Sequence, residues 1–402
     1  MTSRDVVILG AARTPIGKYG GSFKDIHAAE LGAVAARAAI ARAGLLPADV
    51  HEVLMGHGRP AGVGPNPARQ VAHRTGVPHG APAFTINKAC AGGMQALASA
   101  AQSIMFGESE VALAGGIENM SRVPYLVDAS DARWGHKMGH FQFVDAMYRD
   151  GFADPLSGLI MGETAEVLAR QYGITREQSD QFALESQRKA EAAQQAGHFD
   201  REIAPVTITE KSKSIEIRSD EHPRHGTTIE ALRKLPLTFP KVDGHDGIIT
   251  AGSASGITDG AAAIVLASGD FARARGLTPL ARIVGWASAG VDPRIMGIGP
   301  VPAMAKLQQR IGWGVGDYDL VEINEAFAAQ VLAVLKDVPI PADKLNVNGG
   351  AIALGHPIGC SGARIVVTLL HELQRRGKTK GLATLCVSGG MGMALAIEVP
   401  NA

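Results

Sequence analysis

Short apolar runs and helical stretches alternate along the chain. Residues 6–9 form a continuous apolar run of strand length, and residues 28–43 are rich in alanine and follow the helical period up to Gly44. A second strand candidate covers residues 50–56. This order of strand, helix and strand predicts an α/β fold around a buried sheet that is mostly parallel or mixed.

The same order of elements recurs in the C-terminal third. A helix predicted just after Cys90 is followed by a strand candidate at 111–116, and a helix that opens at Cys360 is followed by one at 382–387. A shift of 270 residues aligns Cys90 with Cys360, Gly92 with Gly362 and Gly107 with Gly377. We interpret this as a duplication that produces two facing lobes with a site in the cleft between them.

The middle of the chain, residues 119–250, is more polar and irregular. Within it, residues 164–195 predict a helical stretch that breaks near Gly173 and restarts at a cap-like Thr175. We expect an insertion that projects from the first lobe and covers or binds something. The predicted domains are an N-terminal lobe at 1–118 plus 251–277, the inserted loop domain at 119–250, and a C-terminal lobe at 278–402.

Composition excludes several classes of protein. The 402 residues suffice for about two to four domains or lobes, and 39 Lys+Arg balance 39 Asp+Glu, which argues against a nucleic-acid partner. The sequence has no uncharged apolar run of about 18 residues and no basic segment leading into an apolar one, so we expect neither membrane insertion nor a secretory signal. The three widely spaced cysteines fit a reducing cytoplasm without disulfides.

Cys90 is the first candidate for chemistry. It lies in the turn before a predicted helix, where free N–H groups and the helix dipole lower a thiol pKa. Gly92 and Gly93 leave room for a ligand or another chain to approach. Most free cysteines, however, are small buried hydrophobic residues. Position alone leaves both interpretations open.

Three further positions have two interpretations each. His356 precedes Pro357 in a Gly-rich loop, and is either a base or hydrogen-bond donor or a turn histidine bonded to a carbonyl. Cys386 ends a strand before a Gly-rich turn that contains Ser388. Either this turn presents N–H groups to an oxyanion beside Cys386, or Cys386 is simply a strand residue that faces the core. Asn324 follows a strand candidate and is either a functional amide or a helix cap.

Two motif-like stretches do not carry their usual function. Gly56 to Ala61 has the spacing of a dinucleotide fingerprint, but Pro60 and the prolines after it prevent the required helix. His136 and His140 have metal-like spacing without an apparent third ligand. We expect no metal site.

Four blocks together resemble the thiolase family: NKACAGGM at 87–94, NEAF at 324–327, GHP at 355–357 and CVSGG at 386–390. They occur in the family's order, and the resemblance covers the whole chain, including the inserted region. It implies two duplicated βαβαβαββ lobes in a five-layer αβαβα arrangement, with the inserted loop domain binding coenzyme A.

The resemblance implies a role for each matching residue. Cys90 resembles the acyl-accepting nucleophile and Cys386 the acid/base. His356 resembles the residue that activates Cys90 and helps hold the thioester oxygen, and Asn324 the one that fixes a water in that oxyanion hole. The backbone N–H groups of Cys90 and Ser388 would hold the acyl-enzyme oxyanion. The implied reaction is the reversible Claisen condensation of two acetyl-CoA to acetoacetyl-CoA and CoA, through an acyl-cysteine intermediate and without a permanently bound cofactor.

Two positions depart from the family pattern. Ser388 stands where the family commonly has Gly, which leaves the geometry of the oxyanion hole open. Ile160 stands where many biosynthetic members have His, which leaves the polarity of the acyl pocket open. The contacts to coenzyme A and substrate implied by matching positions are Arg224, Phe239, Ala251, Ser255, Met161, Met296 and Phe327.

The segment 122–148 resembles the oligomerisation loop of tetrameric thiolases. It contains Tyr125, Trp134, Phe141, Phe143 and Tyr148. We expect a homotetramer built as a dimer of dimers. The alternative is a dimer in which this segment packs as a lid on its own subunit.

Three other functions remain as alternatives. A broader-chain 3-ketoacyl-CoA thiolase of fatty-acid breakdown shares the catalytic set and differs in pocket depth near Met161 and Met296. A ketoacyl synthase typically has His or Asn opposite its nucleophile, where this chain has Cys386. An inert thiolase-like binding scaffold is expected to lose one of the four reactive positions.

Overall fold

The computed structural model describes residues 5–210 and 213–400, so residues 1–4 and 401–402 of the predicted lobes and 211–212 of the predicted insertion lie outside the described residues. The helices are α1 (Ala28–Arg42), α2 (Pro67–Thr75), α3 (Gly92–Phe106), α4 (Ala129–Ala132), α5 (Met161–Tyr172), α6 (Arg176–Gln195), α7 (Ile229–Arg233), α8 (Gly269–Ala274), α9 (Pro300–Ile311), α10 (Ala328–Asp337), α11 (Ala351–Leu354) and α12 (Ile358–Arg376). The strands are β1 (Val6–Arg13), β2 (Gly17–Lys18), β3 (Glu52–Gly56), β4 (Ala83–Ile86), β5 (Val111–Asn119), β6 (Tyr125–Leu126), β7 (Val144–Asp145), β8 (Val206–Glu210), β9 (Lys213–Ile217), β10 (Lys241–Val242), β11 (His245–Asp246), β12 (Thr258–Ser268), β13 (Ala281–Gly290), β14 (Leu320–Ile323), β15 (Lys380–Val387) and β16 (Met391–Glu398).

The main strands repeat one arrangement twice. In the first lobe they lie in the order β4-β3-β5-β12-β1, with β3 parallel to β4 and β5 and with β12 antiparallel to β5 and β1. In the second lobe the order is β14-β15-β16-β13, with the same directions, and a parallel bridge between Val321 and Leu345 stands where the first lobe has β4. The predicted duplication and mixed sheet are therefore confirmed.

The helices complete a five-layer arrangement around these strands. Helices α3 and α12 pack against each other between the two sets of strands, while α1 and α2 cover the outside of the first lobe and α9 that of the second. The strands of the two lobes meet through a short pairing of β1 with β13, which joins them into one ten-stranded sheet. Ala96, Ile264, Ile365 and Leu395 are buried in the central layer. The thiolase-like α/β architecture expected from the sequence is the one observed.

The two central helices approach at backbone distance. A Cβ atom on Gly93 would lie 2.8 Å from the Ala363 nitrogen, and one on Gly362 would lie 2.6 Å from the Met94 nitrogen. The sequence suggested that the glycines after Cys90 let a ligand or another chain approach closely, and at Gly93 it is helix α12 of this chain that does so. This contact brings the turn that carries Cys90 against the start of α12.

Several predicted element ends are confirmed and one is shifted. Gly107 and Gly377 follow the ends of α3 and α12 with φ of 79° and 61°. Helix α12 begins at Ile358, two residues before the predicted start at Cys360, because Pro357 precedes it with φ of −71°, which suits a helix start. Cys360 therefore lies inside the helix, buried.

The predicted break between two helices in the insertion is also confirmed. Helix α5 ends before Gly173, which has φ of 59°. Thr175 then caps α6, because its side chain accepts a hydrogen bond from the Gln178 N–H group at 3.3 Å and Gln178 Oε1 accepts one from the Thr175 N–H group at 2.9 Å.

The insertion packs against both lobes. Helices α5 and α6 lie on α10, and α6 also contacts α11 of the second lobe. On the side of the first lobe, buried Arg13 of β1 forms hydrogen bonds to Glu202 at 2.6 Å and to Asp220 at 2.6 and 2.9 Å. The segment thus spans the cleft between the lobes, whereas the sequence suggested a projection from the first lobe alone. The exact domain boundaries stay predictions.

Candidate active site

A cavity of about 230 Å³ lies where the two lobes and the insertion meet. Its walls include most of the residues predicted from the sequence: Cys90, Met161, Phe239, Ser255, Met296, Phe327, His356, Cys386 and Ser388. Asn324 lies directly behind this wall, in contact with His356. Arg224 and Ala251 do not line this cavity and instead line a separate one of about 110 Å³, so they are not brought together with the reactive groups.

Cys90 is presented by a strained turn between β4 and α3. Ala89 has φ of 43°, in the left-handed region that L-residues rarely occupy, and its N–H group donates to Asn87 Oδ1 at 3.0 Å. Cys90 follows in a 3₁₀ turn and is 9% exposed, so its thiol is reached only through the cavity. A buried cysteine that only fills space does not require a strained neighbour, so this backbone strain favours a functional role for Cys90.

The pKa of Cys90 differs from the sequence expectation. Burial raises it above the ordinary thiol value, and the charge of Arg59 and the N–H groups of Ser388 and Cys90 itself only partly oppose this rise. The lowered pKa expected from the helix start is therefore wrong for the protein without substrate, because desolvation outweighs the helix terminus. The same two N–H groups are the donors that the resemblance assigned to an oxyanion hole.

Ser388 fits its turn without strain. The left-handed residues in this segment are Gly389 and Gly390, with φ of 83° and 80°, whereas Ser388 does not have a positive φ. Its N–H group is directed at the Cys90 thiol. The concern that serine narrows the backbone geometry at this position therefore does not apply.

His356 is buried and held in one tautomer. Ser361 Oγ donates to the Pro357 carbonyl at 3.0 Å, so it accepts the hydrogen bond from His356 Nδ1, which lies 2.6 Å away. The Nε2 atom is left unprotonated as an acceptor, 3.4 Å from Asn324 Nδ2. Burial lowers the pKa of His356 to about 3, with Arg364 and Arg59 acting in the same direction. The ring is therefore a neutral imidazole at ordinary pH.

Asn324 is not the helix cap considered from the sequence. It follows β14, donates its backbone N–H to the Thr384 carbonyl at 3.0 Å, and precedes α10 by several residues, with Phe327 at the cap position. Within the described part of the chain, its buried Oδ1 atom has no hydrogen-bond partner. A buried amide oxygen with no partner beside His356 suits a bound water or ligand.

Cys386 lies at the end of β15, fully buried against Met296 and Ala326. Burial raises the pKa of its thiol well above the usual range, and the charge of a Cys90 thiolate raises it further. The two sulfurs thus face one cavity and interact electrostatically, although they lie 296 positions apart in the sequence. Acylation of Cys90 prevents a thiolate from forming there and therefore removes this obstacle to the ionisation of Cys386.

Sequence analysis missed several residues of the cavity wall. Arg59, Tyr148, Phe152, Ile257 and Ile358 line it as well. Arg59 belongs to the stretch rejected as a dinucleotide fingerprint. Its place three residues after β3 could have indicated a position near the site, because Gly56, the last residue of β3, lies against the turn of Cys90.

Two other kinds of feature can be checked in the described residues, namely metal sites and membrane-spanning helices. Within residues 5–210 and 213–400, the structure contains no cluster of His, Cys, Asp and Glu that suits a metal ion. The same residues include no helix long and apolar enough to cross a bilayer.

Comparison with known proteins agrees with the site. The chain matches the thiolase N-terminal domain over residues 6–270 and the thiolase C-terminal domain over residues 277–399. An acetyl-CoA acetyltransferase of Cupriavidus necator is 53% identical over 395 residues, which cover 98% of this chain and 99% of that protein. The crystal structure of the Bacillus anthracis acetyl-CoA acetyltransferase is 47% identical, with a TM-score of 0.95 and 99% of both chains covered.

A third relative is human. The crystal structure of mitochondrial 3-ketoacyl-CoA thiolase in complex with CoA is 44% identical, with a TM-score of 0.93 and coverage of 99% of this chain and 98% of that chain. The family match extends over nearly the whole chain, and the two cysteines that resemble the family's reactive pair share one cavity. This chain belongs to the thiolase family.

Proposed function

We propose that this protein is an acyltransferase that condenses two acetyl-CoA molecules reversibly to acetoacetyl-CoA and CoA. The observation that carries the proposal is the shared cavity of Cys90, Cys386 and a neutral His356. The curated relatives point the same way, since full-length matches about half identical to this chain are acetyl-CoA acetyltransferases. A ketoacyl synthase or an inert scaffold does not require a second thiol at this place.

In the first half-reaction, Cys90 Sγ attacks the thioester carbon of acetyl-CoA. His356 Nε2 accepts the thiol proton as the sulfur–carbon bond forms, since Nδ1 keeps its own proton on Ser361. The N–H groups of Cys90 and Ser388 hold the carbonyl oxygen while it carries negative charge. The carbon–sulfur bond to CoA breaks, and the CoA thiolate takes a proton from Cys386.

In the second half-reaction, the Cys386 thiolate removes an α-proton from a second acetyl-CoA. The protonated Nε2 of His356 now donates to the enolate oxygen, together with a water held by Asn324. The carbanion attacks the acetyl carbon on Cys90, the Cys90 thiolate leaves, and the proton on His356 returns to it. The acylation of Cys90 exchanges one thioester for another, and in the reverse of the condensation the Cys90 thiolate attacks the 3-keto carbon of acetoacetyl-CoA. The same groups therefore serve both directions.

Coenzyme A binding extends this proposal to the mouth of the cavity. Phe239, Ser255 and Phe327 line the cavity, and Ser255 is fixed by donation of its N–H group to the Ala326 carbonyl at 2.9 Å. Arg224 is exposed, and in the described residues no carboxylate lies within 4 Å of it, which suits a nucleotide phosphate. We assign it and Ala251 to the nucleotide end, away from the reacting carbon.

Chain length separates this proposal from its closest alternative, a broader 3-ketoacyl-CoA thiolase. Met161 and Met296 contact the wall around Cys386, and the cavity of about 230 Å³ is small. The test compares thiolysis of acetoacetyl-CoA with thiolysis of a long-chain 3-ketoacyl-CoA. We expect a marked preference for acetoacetyl-CoA, and a preference for the long chain would transfer the assignment to the alternative.

The catalytic assignment is tested by three cysteine variants. Cys90→Ala is expected to abolish acetylation by acetyl-CoA, whereas Cys386→Ala is expected to retain slow acetylation of Cys90 but no condensation. Cys360→Ala is the matched control with full activity, because this buried thiol lies outside the cavity and burial raises its pKa to about 12. Full turnover in either of the first two variants contradicts the proposal.

We also propose a homotetramer built as a dimer of dimers. The side chains of Tyr125, Trp134, Met138 and Phe143 are between 67% and 90% exposed in the single chain, which supports burial in an interface. Light scattering of the wild type and of a Trp134→Ser variant tests this. A dimer in both preparations favours the lid alternative. The cytoplasmic location and a place in lipid metabolism stay predictions.

A further inference from the structure

Arg59 is a buried cation on the wall of the active-site cavity. Only 6% of the residue is exposed, and in the parts of the chain that the structure describes no carboxylate lies within 4 Å of its guanidinium. Nη1 donates to the Gly58 carbonyl at 3.2 Å and Nη2 donates to the Gly151 carbonyl at 2.9 Å. The Nε atom has no partner among those residues. A buried charge of this kind is costly unless an anion nearby compensates it.

The charge of Arg59 acts on the carboxylate of Glu118 and lowers its pKa, but the oxygens of Glu118 bond to other groups. Its Oε2 accepts hydrogen bonds from the N–H groups of Gly58 at 2.9 Å and Gly359 at 2.8 Å. Its Oε1 accepts one from the backbone N–H of Arg59 at 3.2 Å and lies 2.9 Å from His57 Nε2. These local donors hold the Glu118 charge at the junction of the two lobes, so the Arg59 guanidinium is left without a direct partner.

We propose that Arg59 is a positioning residue that acts through Cys90, with its fixed charge stabilising the thiolate in the cavity. This inference rests on the proposed function, in which the Cys90 thiolate is the nucleophile and the leaving group. Both side chains line the same cavity, and the thiolate supplies an anion on the cavity side of the guanidinium, where Glu118 makes no direct contact. Together with burial and Arg364, the positive charge also helps to keep His356 neutral, so that Nε2 stays an acceptor until Cys90 is acylated.

The charges around Cys90 agree with this assignment. Arg59 lowers the pKa of Cys90 against the effect of burial, whereas the charge of Glu118 raises it. Arg59 also lowers the pKa of His356, together with Arg364. The neutral thiol of Cys386 faces the same cavity and carries no charge in the resting protein. Arg59 is thus a charged side chain whose removal raises the pKa of both Cys90 and His356, whereas removal of Glu118 would lower both.

The geometry disfavours the other use of such a cation, recognition of a carboxylate on the acyl chain. Nη1 and Nη2 of Arg59 each donate one hydrogen bond to a backbone carbonyl, which fixes the plane of the guanidinium and leaves only part of its donors for a ligand. A Cβ atom on Gly151 would lie 2.6 Å from Arg59 Nε, which shows how closely the backbone encloses the guanidinium. The charge of Arg59 reaches the cavity, whereas its donors are partly engaged by the backbone.

The test measures alkylation of Cys90 by iodoacetamide against pH in the full-length protein, with peptide mass spectrometry to identify the modified thiol. This readout requires no turnover, so it is independent of whether the condensation proposal holds. Arg59→Met is expected to raise the apparent pKa of Cys90 by about one unit, which slows alkylation about tenfold below the pKa. Arg59→Lys is expected to restore most of the loss. Arg149→Met, which removes an exposed cation from the adjacent segment, is the control and is expected to match wild type.

Two results overturn the proposal. An unchanged alkylation profile in a folded Arg59→Met protein shows that the charge does not act on Cys90. An unchanged profile accompanied by selective loss of activity on acyl-CoA substrates with a terminal carboxylate assigns Arg59 to substrate recognition instead. If Arg59→Met does not fold, Gly151→Ala decides, because its methyl group displaces the guanidinium without removing its charge. The same upward shift supports the proposal, and a wild-type profile refutes it.

Discussion

The substitution Ser361→Ala tests how His356 is prepared for catalysis. Ser361 Oγ is fully buried, accepts a hydrogen bond from His356 Nδ1 at 2.6 Å and donates one to the Pro357 carbonyl at 3.0 Å. Without this acceptor the imidazole loses the reason to keep its proton on Nδ1. A ring protonated on Nε2 cannot take the thiol proton of Cys90, so acylation becomes slower.

The size of this effect follows from the hydrogen bond that is lost. Leaving a buried polar group without its partner costs about 2 kcal/mol. If the whole cost is paid in the acylation transition state, the rate falls roughly thirtyfold. The free energy of unfolding is expected to fall as well, by about 1 kcal/mol. The signature of a positioning role is therefore a loss of transition-state stabilisation about twice as large as the loss of folding free energy.

The assay is a rapid-quench, single-turnover acetylation of Cys90 by acetyl-CoA, combined with thermal unfolding of each variant. Ser103→Ala is the matched control, because this buried serine lies on helix α3 and its hydroxyl has no hydrogen-bond partner within the described residues. The control is expected to acetylate at the wild-type rate. Acetylation at the wild-type rate in a folded Ser361→Ala protein would show that Ser361 does not control the tautomer of His356. Equal losses of rate in both variants would show that the effect comes from altered packing.

Three further predictions concern stability. Burial raises the pKa of Glu322 to about 8, so this group destabilises the fold as pH rises from 4.5 to 8. Glu322→Gln is therefore expected to raise the melting temperature at pH 8 but not at pH 4.5. Equal gains at both pH values would contradict the raised pKa. His356, with a pKa of about 3, contributes stability that is present above pH 6.5 and lost towards pH 3. His356→Asn is therefore expected to flatten the decline in melting temperature from pH 6.5 to 4. Parallel curves for the variant and the wild type would contradict the lowered pKa. Gly56→Ala places a Cβ 2.1 Å from the Gly92 carbonyl carbon and is expected to cost about 2 kcal/mol, whereas Gly80→Ala, with open space around it, should be neutral; similar melting temperatures for the two variants exclude this close contact.

The amino-acid sequence by itself determined the class of fold and the reactive residue types. Strand runs, helical periods and their repetition after 270 residues are local patterns, and they predicted the duplicated α/β lobes because such patterns depend only on neighbours along the chain. The resemblance in four short blocks pointed to the reactive pair, Cys90 and Cys386, in the same way. The break at Gly173 and the cap at Thr175 were likewise readable from local chemistry.

Only the tertiary structure decided how the reactive groups behave. The helix start suggested a lowered pKa for Cys90, but desolvation by both lobes reverses its direction. Arg59 looked like part of a rejected motif, and the pattern around Asn324 left a helix cap open, until packing placed one on the cavity wall and the other behind His356. Burial and electrostatic effects on a group depend on all atoms that lie near it in space. The spacing of two residues along the chain does not say how far apart they lie in the fold, so these effects could not be predicted from the sequence.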